Sequence, residues 1–219
     1  MNILVFAPHR DDEILGVGGT ILKNKAKGNH VTVCVVTAKE GGEWGPLTKR
    51  VHAEMERAFQ FCNIDEYKGL KFAPVILESY PRKEINNAIL DVIVSSKPDE
   101  VYIPHWGDMQ KDHQIVSEAA MVSLRSKYGH SVKRIYAYET LSETGINYPT
   151  GEKAFIPNVY VDVTDFLEAK KEALRCYTSQ IGEFPDLRSV EAIEALARYR
   201  GATVNIEAAE AFMLIREID

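Results

Sequence analysis

Short runs of β-branched and aliphatic residues at positions 3–6, 31–37 and 101–103 alternate along this chain with longer segments whose apolar residues recur at helical spacing. Such alternation constrains the fold strongly, because parallel strands cannot be joined by tight hairpins and need a crossover element, usually a helix. Residues 3–6 read as the first strand, 12–27 as a helix ended by Gly28, 31–37 as the second strand, 49–62 as a helix and 67–72 as a weaker strand. Pro81 opens a helix through residue 95, with Ile85, Ile89, Val92 and Ile93 on one face, and Pro98 stops it before the strand at 101–103. A helix over 114–126, strands at 134–138 and 159–163, and helices over 164–177 and 189–200 follow, with a last element of undetermined type through Phe212 and Ile215. The expected fold is α/β: a Rossmann-like, doubly wound, mainly parallel sheet of core order 3-2-1-4-5 with helices on both faces. With 219 residues and 45% hydrophobic content, the chain is expected to form a single domain over positions 1–219.

Charge and composition narrow the classes of partner. The formal charge of −6 arises from 32 acids against 26 bases scattered along the chain, with no basic stripe, so nucleic acid is not an expected partner. No apolar stretch is long enough to span a membrane, and Met1-Asn2-Ile3 does not begin a secretory leader, so a cytoplasmic protein is expected. Cys34, Cys62 and Cys176 are odd in number and far apart, which proposes neither a disulfide framework nor a thiolate metal site. A homo-oligomer is compatible with this composition.

Chemistry concentrates where two strands end. Ala7-Pro8-His9-Arg10-Asp11-Asp12-Glu13 places an imidazole and three carboxylates directly behind the first strand. One acid there would suffice to cap the following helix; two adjacent acids beside an imidazole repel each other unless a cation neutralises them. The fourth strand ends in Pro104-His105-Trp106-Gly107-Asp108-Met109-Gln110-Lys111-Asp112-His113. In the order 3-2-1-4-5, strands one and four are neighbours, and the two clusters meet at the point where the winding reverses.

These two segments, together with Gly16-Val17-Gly18-Gly19-Thr20 and the stretches at 50–54 and 208–212, resemble the PIG-L/LmbE-like zinc deacetylase family. The resemblance implies that His9, Asp12 and His113 bind Zn2+ or another divalent transition metal, and that Asp11 is the general base. It also implies an N-acetylated amino sugar or sugar conjugate as the small-molecule substrate. Elementary chemistry agrees, since two imidazoles and one carboxylate make a three-ligand set that leaves room for water and a substrate carbonyl. Asp11 would take a proton from the attacking water and return it to the departing amine.

The chain departs from the family pattern at Gln110, where histidine is frequent, and at Arg10, where proline is usual. Glutamine cannot titrate, but its amide NH2 can donate to an oxyanion, so Gln110 counts among the catalytic groups and no histidine limb from that position is expected in a pH profile. Asp112 is expected to accept the second ring N–H of His113 and fix its tautomer. Arg50, following the glycine-rich stretch at 40–45, and Asp108 are expected on the substrate side, Asp108 with a place beside Asp112 as its alternative. Arg10 is either a cation near the site or a solvated side chain. His105 is expected in a supporting role, and His30, His52 and His130 outside the site. Trp44, Trp106 and residues 141–155 are expected to wall the pocket, with residues 138–140 at its rim.

Two other readings compete. A non-catalytic nucleotide or sugar-phosphate binding module would use Gly16–Thr20 as a phosphate loop, yet those glycines fall inside the first helix and follow acids that repel phosphate. Close helix packing accounts for them better. Two-metal phosphoester hydrolysis needs more bridging acids than the motifs supply.

Overall fold

The computed structural model describes residues 1–39, 45–129, 132–148 and 150–219. Its strands are β1 (Asn2–Ala7), β2 (His30–Val35), β3 (Glu66–Gly69), β4 (Glu100–Pro104), β5 (Arg134–Tyr138), β6 (Val159–Asp162) and β7 (Ala209–Glu217). The helices are α1 (Asp12–Ala26), α2 (Gly45–Phe61), α3 (Arg82–Ser96), α4 (Lys111–Ser123), a single turn α5 (Leu141–Thr144), α6 (Leu167–Arg175) and α7 (Val190–Ala202). Among the described residues, no helix is long and apolar enough to cross a membrane.

All seven strands join one sheet of order β3-β2-β1-β4-β5-β7-β6. The first five are parallel, with Ile3 opposite Val31 on β2 and Glu100 on β4, as the 3-2-1-4-5 reading requires. Strand pleating divides the core between the two faces. Ile3, Val5 and Ala7 pack with Ile14 and Val17 of α1, Met55 of α2 and Leu174 of α6, whereas Leu4 and Phe6 pack with Ile89 of α3 and Val116 of α4. Burial on both faces is what a continuous aliphatic strand is suited to.

The segment through Phe212 and Ile215, whose type the sequence left open, is β7. It inserts antiparallel between β5 and β6, with Tyr138 opposite Phe212 and Val161 opposite Glu210. The mainly parallel sheet thus carries an antiparallel edge, formed by pairings across more than seventy residues of sequence between β5 and β7.

Strand β7 also grips α1. Glu210 accepts hydrogen bonds from the backbone N–H groups of Gly19 and Thr20, both at 2.7 Å, in the middle of the helix. Lys170 of α6 donates to the Leu15 carbonyl at 2.9 Å and to Glu210 Oε1 at 2.7 Å, so a fully desolvated ion pair lies against the α1 backbone. Side chains come this close only where α1 has none of its own: a Cβ on Gly18 would stand 3.2 Å from Lys170 Cγ, and one on Gly19 2.8 Å from Val163 Cγ1. The glycines serve close packing and not a phosphate loop.

Gly16 is the tightest position, since an added Cβ would lie 2.3 Å from the Tyr138 ring. Helix propensity favours alanine over glycine by about 1 kcal/mol, but overpacking of a filled core costs about 1–3 kcal/mol. Tyr138 cannot yield easily, being fully buried with its hydroxyl bonded to the Phe6 carbonyl at 2.9 Å. Gly16→Ala is therefore expected to lower the denaturation midpoint; an unchanged or higher midpoint in a urea titration would show that propensity wins.

Candidate metal and catalytic site

Adjacent parallel strands β1 and β4 deliver their following loops to the same edge of the sheet. The turn after β1 closes on itself, with the His9 backbone N–H donating to Asp12 Oδ2 at 2.9 Å. Asp11 occupies the residue before α1 with φ 127° and makes no side-chain capping hydrogen bond, so the helix-cap reading fails. A positive φ on a residue other than glycine costs of order 1–3 kcal/mol, and such strain gathers at functional sites. Here it turns the Asp11 carboxylate toward the cavity described below, with Oδ2 buried and lacking a hydrogen-bond partner.

His9, Asp12 and His113 come together, with one potential ligand atom from each lying within 4.8 Å of the others. The partners of the two rings decide which nitrogens face inward. His113 Nδ1 donates to Asp108 Oδ2 at 2.9 Å, leaving Nε2 3.2 Å from Asp12 Oδ2 without a hydrogen bond of its own. His9 Nε2 donates to Asp112 Oδ2 at 2.9 Å, which leaves Nδ1 3.3 Å from Asp12 Oδ2. Each imidazole thus has one nitrogen fixed by a carboxylate and the other turned to Asp12.

This arrangement corrects two expectations. Asp112, sequence neighbour of His113, orients His9 instead, because successive residues on a helix point in different directions. Its carboxylate also receives the backbone N–H groups of Val75 at 2.7 Å and Leu77 at 3.1 Å, tying the loop after β3 to the site. Asp108 does not line the cavity: it is fully buried against His113, and its Oδ1 accepts the Thr144 hydroxyl at 2.5 Å.

The electrostatics are those of a site short of positive charge. Burial works against ionised Asp12, but the charge and hydrogen bonds of His113 and His9 hold its carboxyl well below the usual carboxylate range. Burial, and then the Asp12 charge, push Asp11 well above that range. Burial alone would lower both imidazoles, yet the carboxylates outweigh it and raise His9 to about 9 and His113 well above its ordinary value. Acids outnumber imidazoles, and Asp12 Oδ1 and His113 Nε2 stay buried without hydrogen-bond partners. Nitrogen and oxygen donor atoms without hydrogen-bond partners, side by side in a largely buried cluster, fit a divalent transition metal.

A cavity of ≈ 290 Å³ opens beside this cluster, lined by His9, Asp11, Gln110, by Glu143 from the segment expected to wall the pocket, and by Gln180 and Arg188, which local sequence did not single out. Arg188, in the loop between α6 and α7, lies 3.5 Å from both Asp11 Oδ2 and Glu143 Oε1. Gln110 Oε1 accepts the Asp112 N–H at 2.8 Å as the cap of α4, which sends its NH2 toward the cavity, 3.2 Å from His9 Nε2. Arg10 is buried beside the cavity, donating to the Ala38 carbonyl at 2.8 Å, and is no solvated side chain.

Other expectations fall away from the cavity. Arg50 is 60% exposed and bonds to Glu54 at 3.1 Å and Thr178 at 3.2 Å, outside the cavity lining. His105 packs on Trp106 and Phe155 and contacts the Lys153 carbonyl at 3.0 Å, a supporting role. Trp106 bonds to the Glu152 carbonyl, and Glu139 pairs with Arg200, so neither lines the cavity; of residues 141–155, Glu143 does. His30 and His52 stand on β2 and α2 away from the cluster. Trp44, His130 and most of the glycine-rich stretch lie outside the described residues.

Residues 4–124, more than half of the chain, match the family described as PIG-L: GlcNAc-PI de-N-acetylase. The uncharacterized deacetylase YaiS of Escherichia coli K12 is 26% identical over 187 residues, covering 81% of this chain and 91% of that protein. The diacetylchitobiose deacetylase of Thermococcus kodakarensis is 27% identical over 205 residues, covering 83% and 71% of the two chains. A 4-carboxy-2-hydroxymuconate hydratase from Pseudomonas putida, GalB, shares the fold with a TM-score of 0.74 at 17% identity, covering 100% of this chain and 98% of that one. One fold therefore hosts more than one chemistry, and the reaction must be argued from the site. The chain belongs to the PIG-L family of de-N-acetylases.

Glu13 offers a test of these electrostatics. It is fully buried, accepting the Tyr177 hydroxyl and, at 3.2 Å, the Asp11 N–H. Burial pushes its carboxyl from 4.5 up to about 8. The folded state thus binds this proton more tightly than the unfolded chain, so the stability it contributes is full below the unfolded value and is lost as pH rises through the folded one. In chelator-treated protein, Glu13→Gln should gain in melting temperature relative to the parent between about pH 5 and about pH 9. A difference that stays constant across that window would contradict the assignment.

Proposed function

We propose that this chain is a metal-dependent N-deacetylase, with zinc or another divalent transition metal as cofactor, that hydrolyses the acetamido group of an N-acetylated amino sugar or sugar conjugate to the free amine and acetate. The observation that carries this reading is the cluster of His9 Nδ1, Asp12 and His113 Nε2, with the Asp11 carboxylate, its Oδ2 lacking a hydrogen bond, beside it on the cavity. The metal, held by His9, Asp12 and His113, would supply Lewis-acid activation of a water and of the substrate carbonyl.

The remaining work falls to protein groups. Asp112 and Asp108 hold the two imidazoles in the tautomers that present His9 Nδ1 and His113 Nε2. Asp11 Oδ2, free of hydrogen bonds, accepts a proton from water as its oxygen attacks the amide carbon. When the carbon–nitrogen bond breaks, the same carboxyl returns that proton to the departing amine. Gln110, its oxygen committed to the α4 cap, donates through its NH2 to the oxygen on which charge develops. Arg188 keeps positive charge beside Asp11 and Glu143. A phosphate-binding module is disfavoured by the same acids, which stand at the N-terminal end of α1.

Two substitutions separate binding from chemistry. Asp11→Asn should retain the metal while losing about 10²–10⁴-fold in kcat for amine release from N-acetylglucosamine. Full activity in that variant would remove Asp11 as the base. Asp108→Asn weakens the fixed tautomer of His113 and should cost about 10–100-fold in metal affinity, read by competition with a fluorescent chelator. Unaltered affinity would mean that the Asp108 carboxylate does not support metal binding through His113.

A further inference from the structure

The cavity lining mixes two kinds of side chain. Gln110, Glu143, Gln180 and Arg188 are polar, whereas Leu47 and Val51 of α2 and Pro74 and Val75 in the loop after β3 are apolar. Leu47 is 44% exposed and Val75 64% exposed, although both are aliphatic. Val75 also holds φ 70°, a backbone region that disfavours β-branched side chains and suits glycine or asparagine. A valine there neither fills the core nor relaxes its own backbone. The position is nonetheless fixed, because Asp112 accepts the Val75 N–H at 2.7 Å and the Leu77 N–H at 3.1 Å with the same carboxylate that orients His9. The Val75 part of the apolar lining is therefore held in register with the carboxylate that orients His9.

We propose that Leu47, Val51, Pro74 and Val75 form an apolar subsite that takes an aryl or alkyl group of the substrate, an inference that rests on the N-deacetylase reading above. The group is carried by the amino sugar, either in place of the acetyl methyl or as the substituent on the anomeric oxygen. An unsubstituted N-acetylated monosaccharide offers this wall little hydrocarbon to cover, so the preferred substrate is amphipathic, its hydroxyls facing Arg188, Glu143 and Gln180.

The test measures amine release by the zinc-loaded full chain from N-acetylglucosamine, its methyl, phenyl and octyl glycosides, and the N-butyryl and N-hexanoyl analogues. Either the aryl and alkyl glycosides or the longer amides should gain about tenfold or more in kcat/KM over the plain sugar, and the series that gains identifies which end of the substrate meets the wall. Val75→Asn, which suits the left-handed backbone, should melt no lower than the parent while that preference collapses toward unity. Equal kcat/KM for all substrates would overturn the subsite but leave the deacetylase reading intact. A variant that loses activity on every substrate in the same proportion would also overturn it, since that is the mark of a structural role. No amine from any substrate with the metal bound would overturn the deacetylase reading and the subsite with it.

Discussion

Holding an ionised Asp12 out of water is the constraint that the surrounding residues answer. A buried carboxylate is tolerated only when opposite charge and hydrogen bonds replace its hydration. The His9 N–H and both imidazoles do so here, and each imidazole in turn needs a carboxylate at its far nitrogen. Asp112 must then be satisfied as well, which draws in the backbone of the loop after β3, while Asp108 recruits Thr144 of α5. The chain of compensation spreads from one carboxylate through β1, β4, α4, α5 and the β3 loop. Even so it leaves Asp12 Oδ1 and His113 Nε2 unmatched, where a cation fits.

A site made this way needs rigid neighbours, and buried polar contacts supply them. The Lys170–Glu210 pair fastens α1 to α6 and β7, so the helix that begins at Asp12 is anchored half-way along its length. Glu54 of α2 does similar work on the other side, accepting the Ser179 N–H at 3.1 Å and the hydroxyls of Thr178 and Ser179 at 2.7 and 2.5 Å. That grip places Gln180 on the cavity wall. Arg50 belongs to this clamp through Glu54 and Thr178, which explains why an arginine read as substrate-facing stands outside the cavity.

How far the chain could be read in advance depended on the range of the interactions. Strands β1, β2, β4 and β5 and helix α3 follow from local patterning, because burial on both faces leaves a continuous aliphatic run and a helix leaves a stripe. Strand β7 did not, since its nine residues pair with β5 and β6, neither adjacent in sequence, and its buried Glu210 spoils the apolar pattern. Arg188 and Gln180 carry no local signal and reach the cavity through the loop after α6, while Glu143, inside the segment expected to wall the pocket, reaches it through the turn at α5.

By itself the sequence determined the doubly wound core and the meeting of the segments after β1 and β4, because periodicity and strand-end placement are local properties, while the grouping of His9, Asp12 and His113 was implied by the family resemblance. Only the tertiary structure decided which acid serves which imidazole, reversing the expectation for Asp112 and Asp108. It also decided that Arg188 and not Arg50 faces Asp11, and that a strained Val75 stands over the site. Those are matters of direction, set by where each side chain points once helices and loops from distant parts of the chain pack together, and spacing along a sequence carries no such vectors.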